Sequence, residues 1–145
     1  MQLRRSITIQ APISTTWERL VDIESWPGVS ESIESVELVD SGPLQVGSRA
    51  RVQQPKMPLM TWKVTELEPN ASFVWSSKVA GVTTVAAHTI TEVGGATQMV
   101  LTIDQYGALA WLFARISAGR SRRYLELEAQ AHKRSAEQAA GTTAA

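Results

Sequence analysis

Residues 107–137 read GALAWLFARISAGRSRRYLELEAQAHKRSAE and contain no proline. When these residues are placed at 100° steps, one stripe collects Leu109, Leu112, Phe113, Ile116, Tyr124, Leu127 and Ala131. Apolar residues at i, i+3, i+4 and i+7 are typical of a helix that is buried along one side. At about 1.5 Å per residue the helix is about 45 Å long, which is as long as a small domain is wide. The segment therefore predicts one long helix that a wide, curved sheet must cover.

A positive charge interrupts this stripe. Arg120 sits near its centre, and Arg123 lies at its edge. Burying an unpaired guanidinium is costly, so Arg120 must meet an acceptor or reach water. Either the sheet closes fully on the helix or a space remains between them, and the sequence leaves both alternatives open.

The composition describes a single domain without net charge. The 145 residues carry 14 basic and 14 acidic side chains, and that balance argues against nucleic acid or an anionic membrane as the main partner. Four arginines cluster between residues 115 and 123, but Glu126 and Glu128 follow at once, which indicates a solvated helix face. The chain has no cysteine, no signal-peptide pattern and no apolar run of membrane-spanning length. We therefore expect a cytoplasmic protein without stable membrane insertion.

Before the long helix, apolar and polar residues mostly alternate along the chain, a pattern that is typical of β-strands. The first strand is predicted at residues 3–10. Six more are predicted at 35–39, 47–54, 60–67, around 73–75, at 82–92 and at 97–106. They follow one another through short turns such as Gly94-Gly95, which is typical of hairpins in an antiparallel sheet.

Two short helical segments are predicted between the first two strands. A capping box, Thr15-x-x-Glu18, indicates the start of the first segment. Residues 22–25 and then 26–28 break it, and a further helical turn is predicted at residues 29–32. We expect one domain over residues 1–138 and a disordered tail at 139–145, because the tail is small, polar and aperiodic.

Several local motifs follow this β-αα-β(six)-α order. They are Ala11-Pro12, Trp17, Leu20, DIESWP at 22–27, TWKV at 61–64, Glu68-Pro69, FVW at 73–75, His88, GGAT at 94–97 and RRYLE at 122–126. In this order they resemble the helix-grip superfamily of START-like (SRPBCC) proteins, and within it the polyketide cyclase/dehydrase group. The resemblance implies an α+β fold in which a curved seven-stranded antiparallel sheet wraps around the C-terminal helix. It also implies an internal hydrophobic cavity that holds a hydrophobic small molecule.

His88 is the first candidate catalytic residue. On its predicted strand, His88 faces the same side of the sheet as Val82 and Ile90. The threonines at 83, 89 and 91 face the other side. A cavity-facing imidazole transfers protons near neutral pH, as enolisation, aldol closure and dehydration require. The alternative is a core histidine bonded to a backbone carbonyl or to the long helix.

Arg120 is the second candidate catalytic residue. It would polarise a carbonyl or stabilise an enolate. The alternatives are an ion pair with Glu18, Asp22 or Glu24, or a guanidinium that reaches solvent at the open end of the fold.

The ligand wall is expected from apolar side chains on the sheet and helix, with a few polar groups among them. Its predicted members are Met60, Trp62, Phe73, Trp75, His88, Phe113, Ile116, Arg120 and Tyr124. The aromatic members serve equally well as ordinary core. Trp17 and Trp26 are expected to lock the two small helices against the sheet. With two histidines and no cysteine, we expect no multi-histidine metal site, no metal and no cofactor.

Three functions fit the sequence. We favour a binding protein for a polyketide, lipid or quinone-like molecule, because the sequence lacks common catalytic motifs. The alternative is a polyketide cyclase or dehydratase in which His88 is the acid/base and Arg120 the electrophile. The second alternative is a protein-interaction module, supported by Trp111 and Leu125 on the outer helix face. Trp111 meets either a loop or a partner subunit, as in a homodimer, and the sequence does not decide.

Overall fold

The computed structural model describes residues 2–144, except for the side chains of residues 117, 118 and 142–144. The strands are β1 (Gln2–Ile9), β2 (Ser35–Leu38), β3 (Arg49–Gln53), β4 (Met60–Glu68), β5 (Ser72–Val79), β6 (Val82–Val93) and β7 (Ala96–Tyr106). The helices are α1 (Ile13–Val21), a 3-10 helix (Ile23–Gly28) and α2 (Ala110–Ala144). Among the described residues, no helix is both long and apolar enough to span a lipid bilayer.

The seven strands form one antiparallel sheet in the order β1-β7-β6-β5-β4-β3-β2. Strands β2 to β7 run as successive hairpins, and β1 pairs with β7, with Ile7 opposite Met99. This arrangement confirms the predicted α+β helix-grip architecture. The alternation along β6 is also confirmed, because Val82, His88 and Ile90 are buried.

Two hairpins close through two-residue turns with positive φ at both positions. They are Ala80-Gly81, with φ of 51° and 78°, and the predicted Gly94-Gly95, with φ of 56° and 84°. Positive φ at both central residues is the mark of the type I′ turn, whose twist matches that of the strands.

Gly107 separates β7 from α2 at a point of close backbone approach. A Cβ atom at this position would lie 2.3 Å from the carbonyl oxygen of Gly81, and the φ of Gly107 is +121°. Only glycine fits this position, where the chain turns from the sheet into the long helix, because a side chain would clash with the Gly81 backbone.

The core lies between the sheet, the two small helices and the second half of α2. Trp26, on the 3-10 helix, is 3% exposed and donates its indole N–H to the Leu20 carbonyl at 3.1 Å. Trp17 packs half-buried against the same core. The predicted locking of both small helices by these two tryptophans fits these contacts.

The small helices begin and end elsewhere than predicted. Helix α1 begins at Ile13 with Pro12 as its N-cap, and no side chain caps it, so the predicted Thr15–Glu18 capping box is absent. The reason is that proline is well tolerated just before or at the first helical position. The 3-10 helix includes residues 26–28, where a break was predicted, because short 3-10 turns tolerate an internal proline such as Pro27. Residues 29–32 are turns and not helix.

The predicted stripe of α2 is wrong in its first half. Leu109, Leu112 and Ile116 are 47%, 42% and 78% exposed. In the second half, Ala131 of the predicted stripe is buried at 1% exposure. Leu125, Ala129, His132 and Ala136 are also buried, and at 100° per residue they lie roughly opposite the predicted stripe. The small alanines let the helix backbone pack closely, so the closest contact does not follow the largest apolar side chains.

Two further expectations for α2 need correction. Leu125 was placed on the outer face but is 4% exposed, so of the two residues placed there Trp111, at 62% exposure, is the one that lies on the surface. The helix also continues through residues 139–144, where a disordered tail was predicted. Alanine is the best helix former, and Ala136 and Ala140 pack against the core.

Candidate functional site

Three titratable side chains meet in the core between the sheet and α2. The Nε2 atom of His88 lies 2.9 Å from Oε1 of Glu128, and Nε2 of His132 lies 3.2 Å from the same oxygen. The side chains of His88 and His132 are 2% and 5% exposed, and that of Glu128 is 19% exposed. The sequence contains two histidines, and both contact this one carboxylate oxygen.

Regular secondary structure holds all three residues in place. His88 lies on the inner strand β6, opposite Phe73 of β5 and Leu101 of β7. Glu128 and His132 are four residues apart on α2, a spacing that brings side chains to the same face of a helix. The site therefore rests on rigid elements and not on loops.

The hydrogen bonds of His88 define its protons. Its Nδ1 lies 3.1 Å from the Phe73 carbonyl oxygen, which only accepts, so Nδ1 carries a proton. Its Nε2 faces Glu128, and one proton must lie between these two atoms. His88 and Glu128 therefore share one proton across 2.9 Å.

Burial and charge act in opposite directions on Glu128. Burial alone raises the pKa of this carboxyl, but hydrogen bonds from His132 and His88, together with their charges, outweigh it and hold the pKa well below the usual 4.5. For His132, burial lowers the pKa below the usual 6.5, although Glu128 opposes that shift. Near neutral pH, Glu128 is thus an anion and His132 is neutral.

Aromatic rings enclose the two imidazoles. The Trp26 ring lies 5.7 Å from that of His88 and 5.0 Å from that of His132. Phe73 stacks on His88 at 5.0 Å with 26° between the rings. This shell fixes the orientation of the rings and excludes water from their far side.

A small cavity opens on the near side of Glu128. It encloses about 70 Å³ and is lined by Gln54, Met57, Met60, Trp62, Thr84, Ile103, Gln105, Phe113, Arg120, Ser121, Tyr124 and Glu128. A second space of about 30 Å³ adjoins it through Met57, Met60, Thr84 and Phe113. One water molecule occupies about 30 Å³ of liquid, whereas ligand pockets usually hold about 300–1,000 Å³. The cavity is therefore mainly apolar, and it is nearly closed in this conformation.

Two side chains of α2 tie the helix to the loop between β3 and β4 at the rim of this cavity. Arg120 donates from Nη1 to the Lys56 carbonyl at 3.3 Å, and the Tyr124 hydroxyl donates to the Pro55 carbonyl. Lys56 itself has a positive φ of 62°, which is uncommon for a residue with a side chain. The loop and the first half of α2 together form the rim.

The expected ion pair of Arg120 with the first helix is not formed among the described residues. Asp22 pairs with Arg19, and Glu24 accepts a hydrogen bond from the Leu38 backbone. Arg120 is exposed at the rim, which matches the alternative that its guanidinium reaches solvent.

Five of the nine predicted wall residues line the cavity: Met60, Trp62, Phe113, Arg120 and Tyr124. Phe73, Trp75 and His88 lie behind the wall in the aromatic core. Ile116 is 78% exposed and lies outside it, because the first half of α2 extends beyond the buried region.

Glu128 and His132 were missed as site residues, and Glu128 was interpreted as part of a solvated face. Their E-x-x-x-H spacing was the available signal, because it aligns both side chains on α2. The sequence also did not reveal that His88 and His132 lie together, where both contact Glu128.

Residues 1–137 match the sequence profile of the family described as "Polyketide cyclase / dehydrase and lipid transport". No curated protein matches the sequence. The fold is similar to the Zhui aromatase/cyclase from Streptomyces sp. R1128, with a TM-score of 0.73 and 18% identity over 100% of this chain and 96% of that one.

Two further solved structures share the fold. One is a protein from Thermus thermophilus, with a TM-score of 0.72 and 15% identity over 100% of both chains. The other is the di-domain ARO/CYC StfQ from the steffimycin biosynthetic pathway, with a TM-score of 0.73 and 10% identity. This chain is covered over 99% of its length and spans 52% of that di-domain chain.

Proposed function

Because the chain belongs to the polyketide cyclase/dehydrase and lipid transport family, we propose that it binds a hydrophobic small molecule between the sheet and α2. The ligand is of the polyketide, lipid or quinone type and carries an oxygen that reaches Glu128. The observation that carries this proposal is a mainly apolar cavity whose polar lining residues include Glu128, a carboxylate held by two buried histidines.

Each part of such a ligand has a matching surface. Met60, Trp62 and Ile103 offer apolar contacts to its body. A hydroxyl group on the ligand would donate to Glu128, and the Tyr124 hydroxyl lies on the same wall. A few polar groups placed within an apolar pocket are the usual means of orienting a small ligand.

Ligand entry requires the cavity to widen, because about 70 Å³ does not hold a ring system. The rim is the part that moves in this proposal. Arg120 donates to the Lys56 carbonyl and contacts the Met57 sulfur, and Tyr124 donates to the Pro55 carbonyl. Leu112 and Ile116 on the adjoining turns of α2 are exposed. Outward movement of the loop at 54–59 would break these two bonds and leave the aromatic core intact.

The test is a binding titration with 1,8-dihydroxyanthraquinone and with a long-chain fatty alcohol, both in EDTA, followed by tryptophan fluorescence. Thr84→Phe fills both adjoining spaces, whereas Thr89→Phe adds the same ring on the exposed face of the same strand. We expect wild type and Thr89→Phe to bind alike, and Thr84→Phe to bind at least about tenfold more weakly. Equal binding by all three proteins, or no binding of either probe to wild type, would refute the proposal.

A specific contact favours a second candidate, a cyclase or dehydratase. Glu128 lines the cavity and shares a proton with His88, so the pair is suited to general acid–base chemistry. In this mechanism Glu128 removes a proton from a carbon beside a carbonyl, and the resulting enolate attacks a second carbonyl of the same chain. The pair then returns the proton to the new alkoxide, which becomes a hydroxyl group. In the dehydration Glu128 removes a second proton from the carbon beside the carbonyl, the C=C bond forms, and the hydroxyl group takes up that proton from the pair and leaves as water. His88 acts through Glu128 here, because it lies behind the cavity wall.

Turnover of a poly-β-ketone analogue separates the two candidates. In an enzyme, Glu128→Gln and His88→Ala lower the rate by about 10² or more, and Arg120→Ala lowers it if the guanidinium is the electrophile. Binding of the analogue largely survives in all three variants. Unchanged turnover in the three variants leaves the binding function alone.

A further inference from the structure

We propose that His88, Glu128 and His132 form a binding site for a divalent transition-metal ion of the zinc or iron type, with an open coordination position toward the cavity. The three side chains supply two imidazole nitrogens and one carboxylate oxygen. This inference concerns the polar side of the cavity and does not depend on which hydrophobic ligand the protein binds.

The ligand atoms already converge. One atom from each of the three residues lies within 4.8 Å of the other two. Nε2 of His88 is 2.9 Å and Nε2 of His132 is 3.2 Å from Oε1 of Glu128. A tetrahedral zinc ion with bonds of about 2.0–2.1 Å separates its ligand atoms by roughly 3.3 Å. Small side-chain rotations therefore suffice, and the backbone stays in place.

The surroundings of His88 match those of a metal ligand. Its Nδ1 donates to the Phe73 carbonyl at 3.1 Å, which leaves Nε2 as the coordinating atom once the proton shared with Glu128 departs. Metal-bound histidines almost always donate their other N–H to a backbone carbonyl or carboxylate, which fixes the ring and its tautomer. Trp26 packs against both imidazoles and limits their rotation.

The ligand set also selects the ion. Two imidazoles and one carboxylate suit zinc or iron(II), whereas Mg²⁺ and Ca²⁺ prefer sites made entirely of oxygen. Glu128 is the member of the trio that lines the cavity, so the remaining coordination position faces that space. Three protein ligands plus one open position is the arrangement of catalytic rather than structural zinc sites.

The expectation of no metal site assumed that several histidines must supply the ligands. Here two histidines and a carboxylate provide three, and the carboxylate comes from a residue that the sequence pattern placed in solvent. The number of histidines therefore does not exclude a metal site in this fold.

The test uses the untagged full chain, stripped with EDTA and dialysed, and titrated with Co²⁺. We expect one equivalent to bind, with visible d–d absorption bands and tryptophan quenching, because Trp26 adjoins the site. Zn²⁺ should displace Co²⁺ and bleach the bands, and a hundredfold excess of Mg²⁺ should not.

Two variants test the ligands, and a third is their control. His132→Asn and Glu128→Gln should each weaken Co²⁺ binding at least about a hundredfold, because each removes a direct ligand. Glu126→Gln is the matched control, since Glu126 lies on the same helix but pairs with Arg5 at the surface. Circular dichroism confirms folding before each titration, and His132→Gln replaces any His132→Asn protein that fails to fold.

Two results would overturn the proposal. One is a folded wild-type protein that shows no visible d–d absorption bands, and so no binding, with Co²⁺ at 100 μM. The other is binding that the His132 and Glu128 substitutions leave unchanged, which would place the ion elsewhere on the chain. Because the hydrophobic-ligand titration is performed in EDTA, failure of metal binding leaves that proposal standing, and the converse also holds.

Discussion

His88 on β6 and Glu128 on α2 are joined by a 2.9 Å contact between Nε2 and Oε1, forty residues apart in the chain. This contact ties the middle of the sheet to the middle of the long helix. It also means that His88 affects a ligand in the cavity through Glu128, because Glu128 lines that space and His88 does not. The pair therefore has a structural and a chemical role at once, and the two roles are separable by experiment.

Glu128→Gln should destabilise the metal-free protein. The amide keeps the shape of the side chain but leaves His88 without an anionic partner, and hydrogen bonds to charged groups are worth about 1.5–3 kcal/mol. Urea unfolding in EDTA should show a loss of this size. The control is Glu126→Gln, which breaks a partly exposed ion pair with Arg5 and should cost less than about 1 kcal/mol. Equal losses in the two variants would contradict a special role for Glu128.

The stabilisation from Glu128 should also depend on pH in the acid range. The folded protein lowers the pKa of this carboxyl, so the unfolded chain takes up a proton near the usual 4.5 while the folded chain still holds the anion. The contribution of Glu128 is therefore complete above about pH 5.5, one unit above that value, and falls as the pH decreases further. The difference in unfolding free energy between wild type and Glu128→Gln, measured in EDTA from pH 7 to pH 3, should shrink toward acid pH. A difference that stays constant or grows would show that the carboxylate is not stabilised by folding.

Trp26→Ala should be among the most damaging substitutions in the chain. Its ring contacts Phe73, Trp75 and both histidines, and truncation of a large buried aromatic residue costs about 3–5 kcal/mol. Trp111→Ala removes the same side chain from a position that is 62% exposed and should change stability by less than about 0.5 kcal/mol. Thermal and urea unfolding of the two variants check this contrast.

Two glycine substitutions should have opposite signs. Gly107→Ala places a Cβ 2.3 Å from the Gly81 carbonyl oxygen at a φ of +121°, so we expect a loss of at least about 1–3 kcal/mol. Gly119→Ala lies within α2, and a Cβ there meets nothing within 4 Å. Alanine is the better helix former, so this variant should gain about 0.5–1 kcal/mol. Stabilisation by both substitutions would show that the Gly107 contact is relieved at little cost.

Removal of the rim contacts should loosen the loop between β3 and β4. The double variant Arg120→Ala with Tyr124→Phe removes the donors to Lys56 and Pro55. Amide hydrogen exchange across residues 54–59 should accelerate, while exchange along β6 and β7 stays at the wild-type rate. Arg122→Ala is the control, because this exposed arginine lies toward β1 beside Leu3 and Arg4. Equal acceleration in the control would mean that the helix loosens as a whole.

The strand pattern was predictable because alternation has a local cause. Each strand alternates inward and outward residues, and turns such as Gly94-Gly95 require positive φ, which the sequence displays directly. The pairing of the first strand with the last is not local. It was not predicted, because the period of a segment does not reveal which distant strand it pairs with.

The orientation of α2 was not predictable from its largest side chains. Leu109, Leu112 and Ile116 form a strong hydrophobic stripe, but the region that they would face is not covered by the sheet. Close packing uses Ala129 and Ala136, whose small size carries little hydrophobic signal. A stripe calculation weights side chains by hydrophobicity, whereas packing also depends on how closely two backbones approach.

The polar cluster escaped prediction for a related reason. Glu128 follows a run of arginines and reads as a surface residue until His88 is placed opposite it. Its burial depends on two partners, one four residues away and one forty residues away. Sequence spacing reveals only the first of these partners.

The pairing of β1 with β7 has a consequence for the order in which the protein is made. Leu3 pairs with Ile103, so β1 is synthesised about a hundred residues before its neighbour in the sheet. The hairpins from β2 to β7 can form during that interval, but Glu128 and His132 are synthesised later still. The polar cluster is thus assembled near the end of synthesis, and a nascent chain that stops before residue 128 holds His88 without its carboxylate. Any capacity to bind a ligand or an ion at this cluster therefore reports that the whole chain has been translated and folded.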